Sequence, residues 1–260
     1  MIQSLSYINP QARLAENVVV DPFTVIHHDV EIGEGTWIGS NVTIYPGARI
    51  GKNCRIFPGA VISAIPQDLK FDGEETLAII GDNTTIRECV TINRGTKDKF
   101  KTEVGANCLI MAYTHLAHDC IVGDHVIIAN GVQVAGHVTI QSGARIGGLS
   151  AIHQFGLVGR HVMIEGGSMV SKDVPPFIKA GRYPLTYEGI NAVGLRRSGF
   201  SNEKINEIQD IYRVLFIHNR HLGKALDIVE AELAPSLERD EILAFIRSSD
   251  RGVLKGFNGK

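Results

Sequence analysis

The short segment THLAHDC, residues 114–120, places two imidazoles and a carboxylate within five positions. His115 and His118 are three residues apart, and Asp119 directly follows the second histidine. An imidazole titrates near neutral pH and can remove a proton from a hydroxyl group, and a neighbouring carboxylate can orient the ring. The segment is therefore a candidate for general-base chemistry.

An aliphatic residue recurs at every sixth position through most of the chain around this segment. One phase accounts for twenty-five such positions, which run from 8 to 62, from 80 to 92 and from 104 to 170. Six is the period of neither an α-helix nor a simple alternating strand. Because each hexad must bury its aliphatic residue against its neighbours, the pattern predicts a solenoid of stacked parallel strands. Three hexads would complete one coil of 18 residues.

Two polar segments interrupt the repeat, and the period changes towards the end of the chain. Residues 63–79 and 93–103 are predicted to be loops that extend outward from the solenoid. From Ser201 onward, apolar residues recur at helical spacing, and two further amphipathic segments follow. We expect a mainly β protein with a repeat domain over residues 1–180 and an α-helical C-terminal domain over 181–260. Such helices would cover the open edge of the last coil.

Positions 18 residues apart share a corner of such a solenoid. In three successive coils the corner that carries the segment holds polar or titratable residues: His118-Asp119, Gly136-His137 and Gln154-Phe155, with His153 just before the last pair. A single corner histidine would be interpreted as a surface residue. Several stacked on one edge, beside a carboxylate and near an inserted loop, indicate a site.

Composition narrows the classes of function. The chain has 260 residues, a formal net charge of −2 and a hydrophobic content of 44%. These values argue against a general nucleic-acid binder and against disorder. No apolar run is long enough to cross a bilayer, and the first residues lack the features of a signal peptide. The four cysteines have no metal-ligand spacing, so we expect reduced, buried thiols in a soluble cytoplasmic protein.

Six motifs along the chain resemble the UDP-N-acetylglucosamine acyltransferases, a branch of the hexapeptide-repeat acyltransferases: IPQDLKFDGE (65–74), INRGT (92–96), HLAHDC (115–120), VAGHVTI (134–140), AIHQFG (151–156) and GLRRSGF (194–200). The resemblance covers essentially the whole chain. It implies a left-handed parallel β-helix, a handedness that periodicity cannot give. It also implies a homotrimer with sites between subunits, and no cofactor besides the acyl carrier protein thioester that serves as co-substrate.

The resemblance implies transfer of an (R)-3-hydroxyacyl group from acyl carrier protein to the 3-hydroxyl of UDP-N-acetylglucosamine, the first step of lipid A synthesis. In that reaction His118 would remove the hydroxyl proton, Asp119 would orient the imidazole, and the Gly136 N–H would stabilise the oxyanion. The resemblance assigns substrate contacts to further positions: Asp68, Lys70, His115, His137, His153, Gln154, Asn191 and Arg197. Gly166 matches a position that limits acyl length, and a glycine there implies a long hydroxyacyl chain.

Two positions depart from the pattern of that family. Ser198 follows Arg196 and Arg197 where relatives often carry a third basic residue, and Val193 stands where an acidic residue is common. Both departures concern the nucleotide end of the implied site.

Three other functions fit parts of the pattern. Stacked histidines could hold zinc, as in hexapeptide-repeat carbonic anhydrases. However, His115 and His118 occupy different slots of the hexad, and Lys70 and Gln154 suit an organic substrate, so no metal is predicted. The related N-acyltransferase of the same pathway usually carries an extra N-terminal domain, whereas the repeat here begins by Ile8. A non-catalytic solenoid that only binds or scaffolds would tolerate the loss of His118.

Overall fold

The protein is described by a computed structural model that covers residues 5–218 and 221–256. Residues 1–4, 219–220 and 257–260, which belong to the two expected domains, lie outside the described part. Three long sheets dominate the fold, and most of their strands are only two residues long. Each sheet takes every third strand of the repeat, so the chain passes along the three faces of the solenoid in turn.

The strands of each sheet are as follows. The first sheet contains β1 (Tyr7–Ile8), β4 (Val25–Ile26), β7 (Thr43–Ile44), β10 (Val61–Ala64), β13 (Thr91–Asn93), β16 (His115–Leu116), β19 (Gln133–Val134), β22 (Ala151–Ile152) and β25 (Met169–Val170). The second sheet contains β2 (Arg13–Leu14), β5 (Glu31–Ile32), β8 (Ala48–Ile50), β11 (Leu77–Ile80), β14 (Lys101–Val104), β17 (Ile121–Val122), β20 (Thr139–Ile140) and β23 (Leu157–Val158). The third sheet contains β3 (Val19–Val20), β6 (Trp37–Ile38), β9 (Arg55–Ile56), β12 (Thr85–Ile86), β15 (Leu109–Ile110), β18 (Ile127–Ile128), β21 (Arg145–Ile146), β24 (Met163–Ile164), β26 (Ile178–Gly181), β27 (Thr186–Ile190) and β28 (Lys255–Gly256).

The register of the first sheet confirms the predicted coil of 18 residues. Leu116 pairs with Val134, and Val134 pairs with Ile152. All three side chains are buried in the core, at no more than 2% exposure. The two interrupted coils are longer, because Ile62 pairs with Ile92 and Ile92 pairs with Leu116. Their extra residues are multiples of six, which explains why the hexad phase survives both interruptions.

The corners of the coils have a left-handed backbone at their second residue. Glycine and asparagine supply this conformation at many corners, for example at Asn41 and Gly143. At the corner that carries the predicted site, Asp119, His137 and Phe155 adopt it, with φ of 59°, 62° and 63°. A non-glycine residue in this region costs about 1–2 kcal/mol. Each of these three residues therefore raises the conformational free energy of the folded state at its corner.

Both loops are shorter than the sequence predicts, so the expected limits of 63–79 and 93–103 are wrong. Irregular backbone occupies only residues 65–76 and 94–100, because strands extend into both segments. The polar residues of the second segment are compatible with a strand. Lys101 and Glu103 point outward and form an ion pair at 2.5 Å, and Thr102 between them is buried.

In the described part of the chain, four α-helices follow the solenoid: α1 (Ala192–Arg197), α2 (Asn202–Arg213), α3 (Leu222–Glu232) and α4 (Leu237–Arg247). A π-helical turn, Val214–His218, continues α2. Ser201 is the N-cap of α2 as predicted, since its side chain accepts a hydrogen bond from the Lys204 N–H. The structure adds elements that the sequence pattern did not predict, namely α1 and the antiparallel pair β26 and β27. Strand β26 spans the expected domain boundary at 180/181.

The helices are attached to the last coils by polar contacts. The Tyr212 hydroxyl donates to the Pro176 carbonyl at 2.7 Å, and the Arg160 guanidinium pairs with Glu241 at 2.7 Å. Arg251 donates from Nη1 to the carbonyl of Gln154, at the predicted site corner, at 3.1 Å. The C-terminal segment thus contacts the backbone of that corner directly.

The cysteine prediction is correct at three of four positions. All four thiols are free, and Cys54, Cys108 and Cys120 are buried. Burial raises the pKa of Cys120 to about 12, which makes this neighbour of the His–Asp pair a poor nucleophile. Cys89 is exposed, contrary to the prediction, because it lies at a corner and not in the interior slot that the other three cysteines occupy. Within residues 5–218 and 221–256, no helix has the length and apolar character needed to span a bilayer.

Candidate active site

An open cleft of about 770 Å³ lies on the outer face of the first sheet, next to the corner of Asp119. Outward-facing residues of β16, β19 and β22 form its floor, and residues 67–70 of the first loop form its rim. Six of the predicted site residues line this cleft: Asp68, Lys70, His115, His118, Gly136 and Gln154. The stacking inferred from the repeat therefore brings His115, His118, Gly136 and Gln154 together, and the first loop adds Asp68 and Lys70.

His118 and Asp119 form a buried hydrogen-bonded pair at the corner. The His118 Nδ1 lies 2.8 Å from the Asp119 Oδ2, and the two side chains are 9% and 0% exposed. Three donors from the second loop complete the environment of the carboxylate. The Thr96 hydroxyl lies 2.6 Å from Oδ2, and the backbone N–H groups of Thr96 and Lys99 lie 3.0 Å and 3.2 Å from Oδ1.

This environment keeps Asp119 ionised. Burial alone would raise the pKa of the Asp119 carboxyl, but the hydrogen bonds from Thr96, His118 and Lys99 outweigh burial and lower that pKa. An ionised carboxylate at 2.8 Å requires the imidazole proton to be on Nδ1 of His118. The other ring nitrogen, Nε2, then carries a lone pair and can act as a base towards the cleft.

Gly136 lies against the ring of His118 and could not carry a side chain there. A Cβ at this position would lie 2.7 Å from the His118 Cε1 and 2.8 Å from its Nε2. The Gly136 N–H donates to no acceptor among the described residues, which is also true of the first residue at neighbouring corners. Gly136, which lies against the His118 ring, therefore has an unpaired N–H within the described part of the chain.

His115 and Gln154 occupy opposite ends of the cleft floor. The His115 Nδ1 lies 2.7 Å from the Thr91 hydroxyl, its neighbour in the first sheet. Burial, together with the nearby His118, lowers the pKa of His115, which keeps this ring neutral. Gln154 is half-buried and lines the cleft, and its backbone carbonyl accepts a hydrogen bond from Arg251.

His137 lies behind His118 and does not line the cleft. Its ring meets the His118 ring edge-on, with centroids 5.0 Å apart, and stacks on Phe155 at 4.5 Å. The His137 Nε2 is 3.7 Å from the Asp119 Oδ2, and its Nδ1 is 3.0 Å from the Asp98 Oδ2. In this chain His137 thus packs against the His118–Asp119 pair.

Four other predicted residues lie away from the cleft within a single chain. His153 is exposed and contacts the Gln154 carbonyl through Nδ1 at 3.1 Å. Asn191 is buried, caps α1 and donates to the His161 carbonyl at 2.9 Å. Arg197 is exposed at the end of α1. Gly166 lines a separate hollow of about 310 Å³ with residues of β24, β26 and β27.

The sequence did not predict that the second loop would donate hydrogen bonds to the Asp119 carboxylate. Thr96 and Lys99 hold Asp119 from a distance of about twenty residues along the chain. The motif INRGT, which includes Thr96, drew attention to the segment but not to the function of its hydroxyl. Only the path of the loop places that hydroxyl at the carboxylate.

A cation could in principle bind between His118, Asp119 and His137, because one donor atom from each lies within 4.8 Å of the others. However, both Asp119 oxygens already accept hydrogen bonds from the protein, and the His118 Nδ1 donates to one of them. A metal ion would have to displace these donors. The predicted absence of a metal is thus favoured by the donor set, and it stays a prediction.

Stacked hexads with a His–Asp pair at a corner, beside an open cleft, define a transferase of the hexapeptide-repeat class. A family profile described as bacterial transferase hexapeptide (six repeats) matches residues 29–64 and 101–136. A second profile, described as UDP N-acetylglucosamine O-acyltransferase, domain 2, matches residues 173–254.

Similar proteins cover almost the whole chain. A curated protein from Chlorobium phaeobacteroides (strain DSM 266 / SMG 266 / 2430) is 49% identical over 260 residues, which span 99% of this chain and 98% of the relative. It is named acyl-[acyl-carrier-protein]--UDP-N-acetylglucosamine O-acyltransferase. A protein of the same name from Leptothrix cholodnii (strain ATCC 51168 / LMG 8142 / SP-6) is 41% identical over 98% of this chain and 99% of its own length.

Solved structures of UDP-N-acetylglucosamine acyltransferases are also similar to this chain. A UDP-N-acetylglucosamine acyltransferase from Bacteroides fragilis 9343 matches with a TM-score of 0.96 at 50% identity, covering 98% of this chain and 100% of its own. The enzyme from Francisella novicida matches with a TM-score of 0.95 at 38% identity, covering 99% of this chain and 95% of its own. The chain belongs to the UDP-N-acetylglucosamine O-acyltransferase family, and its solenoid is a left-handed parallel β-helix.

Substitution of Gly136 by alanine should displace the His118 ring. The added Cβ would lie 2.7 Å from the Cε1 of His118, so the imidazole must move and its 2.8 Å contact with Asp119 must lengthen. A crystal structure of Gly136→Ala measures that contact directly. Gly223→Ala, where the new Cβ meets nothing within 4 Å, is the matched control. An unchanged His118–Asp119 contact in Gly136→Ala would contradict the packing described here.

Proposed function

We propose that this chain transfers an (R)-3-hydroxyacyl group from acyl carrier protein to the 3-hydroxyl of UDP-N-acetylglucosamine, the step that begins lipid A synthesis. Membership of the O-acyltransferase family supports the proposal. The observation that carries it is the His118–Asp119 pair, whose geometry leaves Nε2 of the imidazole beside Gly136 at the cleft. Curated relatives with almost full coverage are named O-acyltransferases, so the N-acyltransferase and carbonic anhydrase alternatives are not favoured.

The proposed mechanism requires one base and one donor. The His118 Nε2 removes the proton of the sugar hydroxyl while its oxygen attacks the thioester carbonyl carbon. The Gly136 N–H donates to the oxyanion that forms on that carbonyl. As the oxyanion collapses, the C–S bond breaks, and the imidazolium returns the proton to the sulfur of the leaving carrier. Asp119 remains a carboxylate throughout and keeps the ring oriented.

The rate enhancements expected from a general base and from an oxyanion donor are consistent with these roles of His118 and Gly136. A positioned base contributes on the order of 10²–10⁴ in rate, and an oxyanion donor contributes roughly 10²–10³. No cofactor enters the proposal, because the acyl group is already activated as a thioester. No covalent acyl-enzyme is needed either, since the thiol nearest the pair, Cys120, is buried.

The rim and floor of the cleft supply the proposed sugar-nucleotide contacts. Lys70 is an exposed cation on the first loop and suits a phosphate or a sugar hydroxyl. The Asp68 Oδ1 accepts from the Lys70 backbone N–H at 3.0 Å, which fixes the turn that presents the lysine. His115 and Gln154 are proposed to bind the sugar, and His137 to support His118 beneath it.

A homotrimer with its sites between subunits is part of the proposal. His153, Asn191, Arg197 and Gly166 are all implied to contact substrate by family resemblance, yet none lines the cleft of a single chain. A neighbouring copy would bring its own such residues to the open side of the cleft. We also propose a cytoplasmic location, which the four free cysteines support.

Replacement of His118 by alanine should strongly lower the rate of acyl transfer without unfolding the protein. The purified protein is incubated with UDP-N-acetylglucosamine and hydroxyacyl carrier protein, and the product is identified by mass. We expect a loss on the order of 10²–10⁴ in kcat, the contribution of a positioned base, with an unchanged circular dichroism spectrum. His221→Ala, an exposed histidine at the start of α3, is the control and should retain activity. Turnover retained by His118→Ala would refute the mechanism and favour a scaffold.

Mixed assemblies of a His118 variant and an Arg197 variant test whether sites lie between subunits. His118→Ala chains and Arg197→Ala chains, co-expressed with different tags and purified as mixed assemblies, should recover part of the activity. Some of the mixed sites would then combine an intact His118 with an intact Arg197 from the neighbour. Activity no higher than that of either parent would place the complete site within one chain.

Enlargement of residue 166 should shorten the preferred acyl chain. Gly166 lines a hollow of about 310 Å³, and a larger side chain at this position would reduce the space available there. An added Cβ would already lie 3.1 Å from the Gly148 carbonyl oxygen. We expect the wild type to prefer long hydroxyacyl carrier protein thioesters, and Gly166→Met to shift that preference to shorter chains. A thioester series of increasing length measures both. A wild-type preference for the shortest chains would contradict the proposal.

A further inference from the structure

A second carboxylate, Asp98, lies on the far side of His137 from Asp119. The Asp98 Oδ2 is 3.0 Å from the His137 Nδ1, and the Asp119 Oδ2 is 3.7 Å from the His137 Nε2. Each ring nitrogen of His137 thus faces a carboxylate. We propose that Asp98 is a positioning residue that fixes the ring of His137 and, through it, the catalytic imidazole of His118. This inference rests on the proposed function.

The second loop directs Asp98 at this ring. The residues on either side of Asp98 are anchored, because Thr96 and Lys99 both donate backbone N–H groups to the Asp119 carboxylate. The Lys99 Nζ also donates to the Asp119 carbonyl oxygen at 3.1 Å. Asp98 lies between these anchors, and its own N–H contacts the Thr96 hydroxyl at 3.3 Å. The loop that binds the orienting acid of the catalytic pair therefore also presents an acid to His137.

His137 depends on such a contact for its orientation. Its side chain is 11% exposed, and Asp98 is the charged partner of its Nδ1, although the angle of that contact falls outside hydrogen-bond geometry. Phe155 stacks on one face of the ring and leaves it free to turn in its own plane. The 3.0 Å contact with Asp98 opposes that turn. Because the His137 ring packs edge-on against the His118 ring, the orientation of His137 determines the surface against which His118 packs.

The position of Asp98 predicts an effect on turnover and not on substrate affinity. Neither Asp98 nor His137 lines the cleft, so neither contacts the space where substrate binds within this chain. Loss of Asp98 should therefore leave KM nearly unchanged and lower kcat. The effect should act through His137 alone, so it should vanish once the His137 ring has been removed.

A double-mutant cycle tests this inference. The variants are Asp98→Ala, Asp98→Glu, His137→Gln and the double variant Asp98→Ala/His137→Gln, with kcat and KM measured for both substrates. We expect Asp98→Ala to lower kcat about tenfold, a typical size for coupled neighbours, with KM within about twofold. Asp98→Glu should restore part of kcat. The double variant should be no slower than His137→Gln. Asp72→Asn, an exposed acid in the first loop, is the control and should match the wild type.

Two results would overturn the inference. A further tenfold loss on adding Asp98→Ala to His137→Gln would show that Asp98 acts elsewhere, and a rise in KM without loss of kcat would show that it binds substrate. The ¹⁵N resonances of the His137 ring provide a readout independent of catalysis. They should shift in Asp98→Asn and not in Asp72→Asn. If the wild type fails to acylate UDP-N-acetylglucosamine, the proposed function fails, and the resonances alone decide whether Asp98 positions His137.

Discussion

Burial of one aliphatic side chain in every hexad is the interaction on which the rest of the structure depends. Each such residue packs above its equivalent in the previous coil, as Val134 does on Leu116. This packing fixes the register, and a parallel ladder with fixed register also fixes the corners. Residues far apart in sequence, such as His118 and Gly136, are thereby brought into contact. The geometry of the site is a consequence of core packing.

The loops add what the repeat cannot provide. A regular corner offers a side chain and an unpaired N–H, but it cannot surround a buried carboxylate with donors. The second loop supplies these donors to Asp119 through Thr96 and Lys99. The first loop supplies the rim of the cleft with Lys70. Because both insertions preserve the hexad phase, the coils that follow them stack as if no residues had been added.

The sequence allowed prediction of features that depend on period and not of those that depend on loop paths. The hexads predicted the three faces and the stacked corner, and the N-cap at Ser201 predicted the start of α2. The left-handedness of the β-helix was inferred from family resemblance, because a six-residue sequence period does not specify handedness. The contacts of Thr96 and Asp98 could not be predicted, since their distance from the corner depends on how seven irregular residues fold. The helix-capping role of Asn191 was not predicted because the sequence pattern did not indicate α1.

The left-handed corner has a consequence for how this scaffold can diversify. Most corners share a left-handed φ at their second residue, whether it is asparagine, glycine or a residue of the candidate site. The φ of Asp119, 59°, is almost the same as the φ of Asn41, 58°. Where the neighbouring coils leave space, a change of side chain at such a corner can therefore install a new group without rebuilding the fold, whereas at Gly47 an added Cβ would lie 2.2 Å from the Thr76 carbonyl oxygen. The position of an active site along the solenoid is therefore set by which corner carries the reactive side chains and not by a local change of fold.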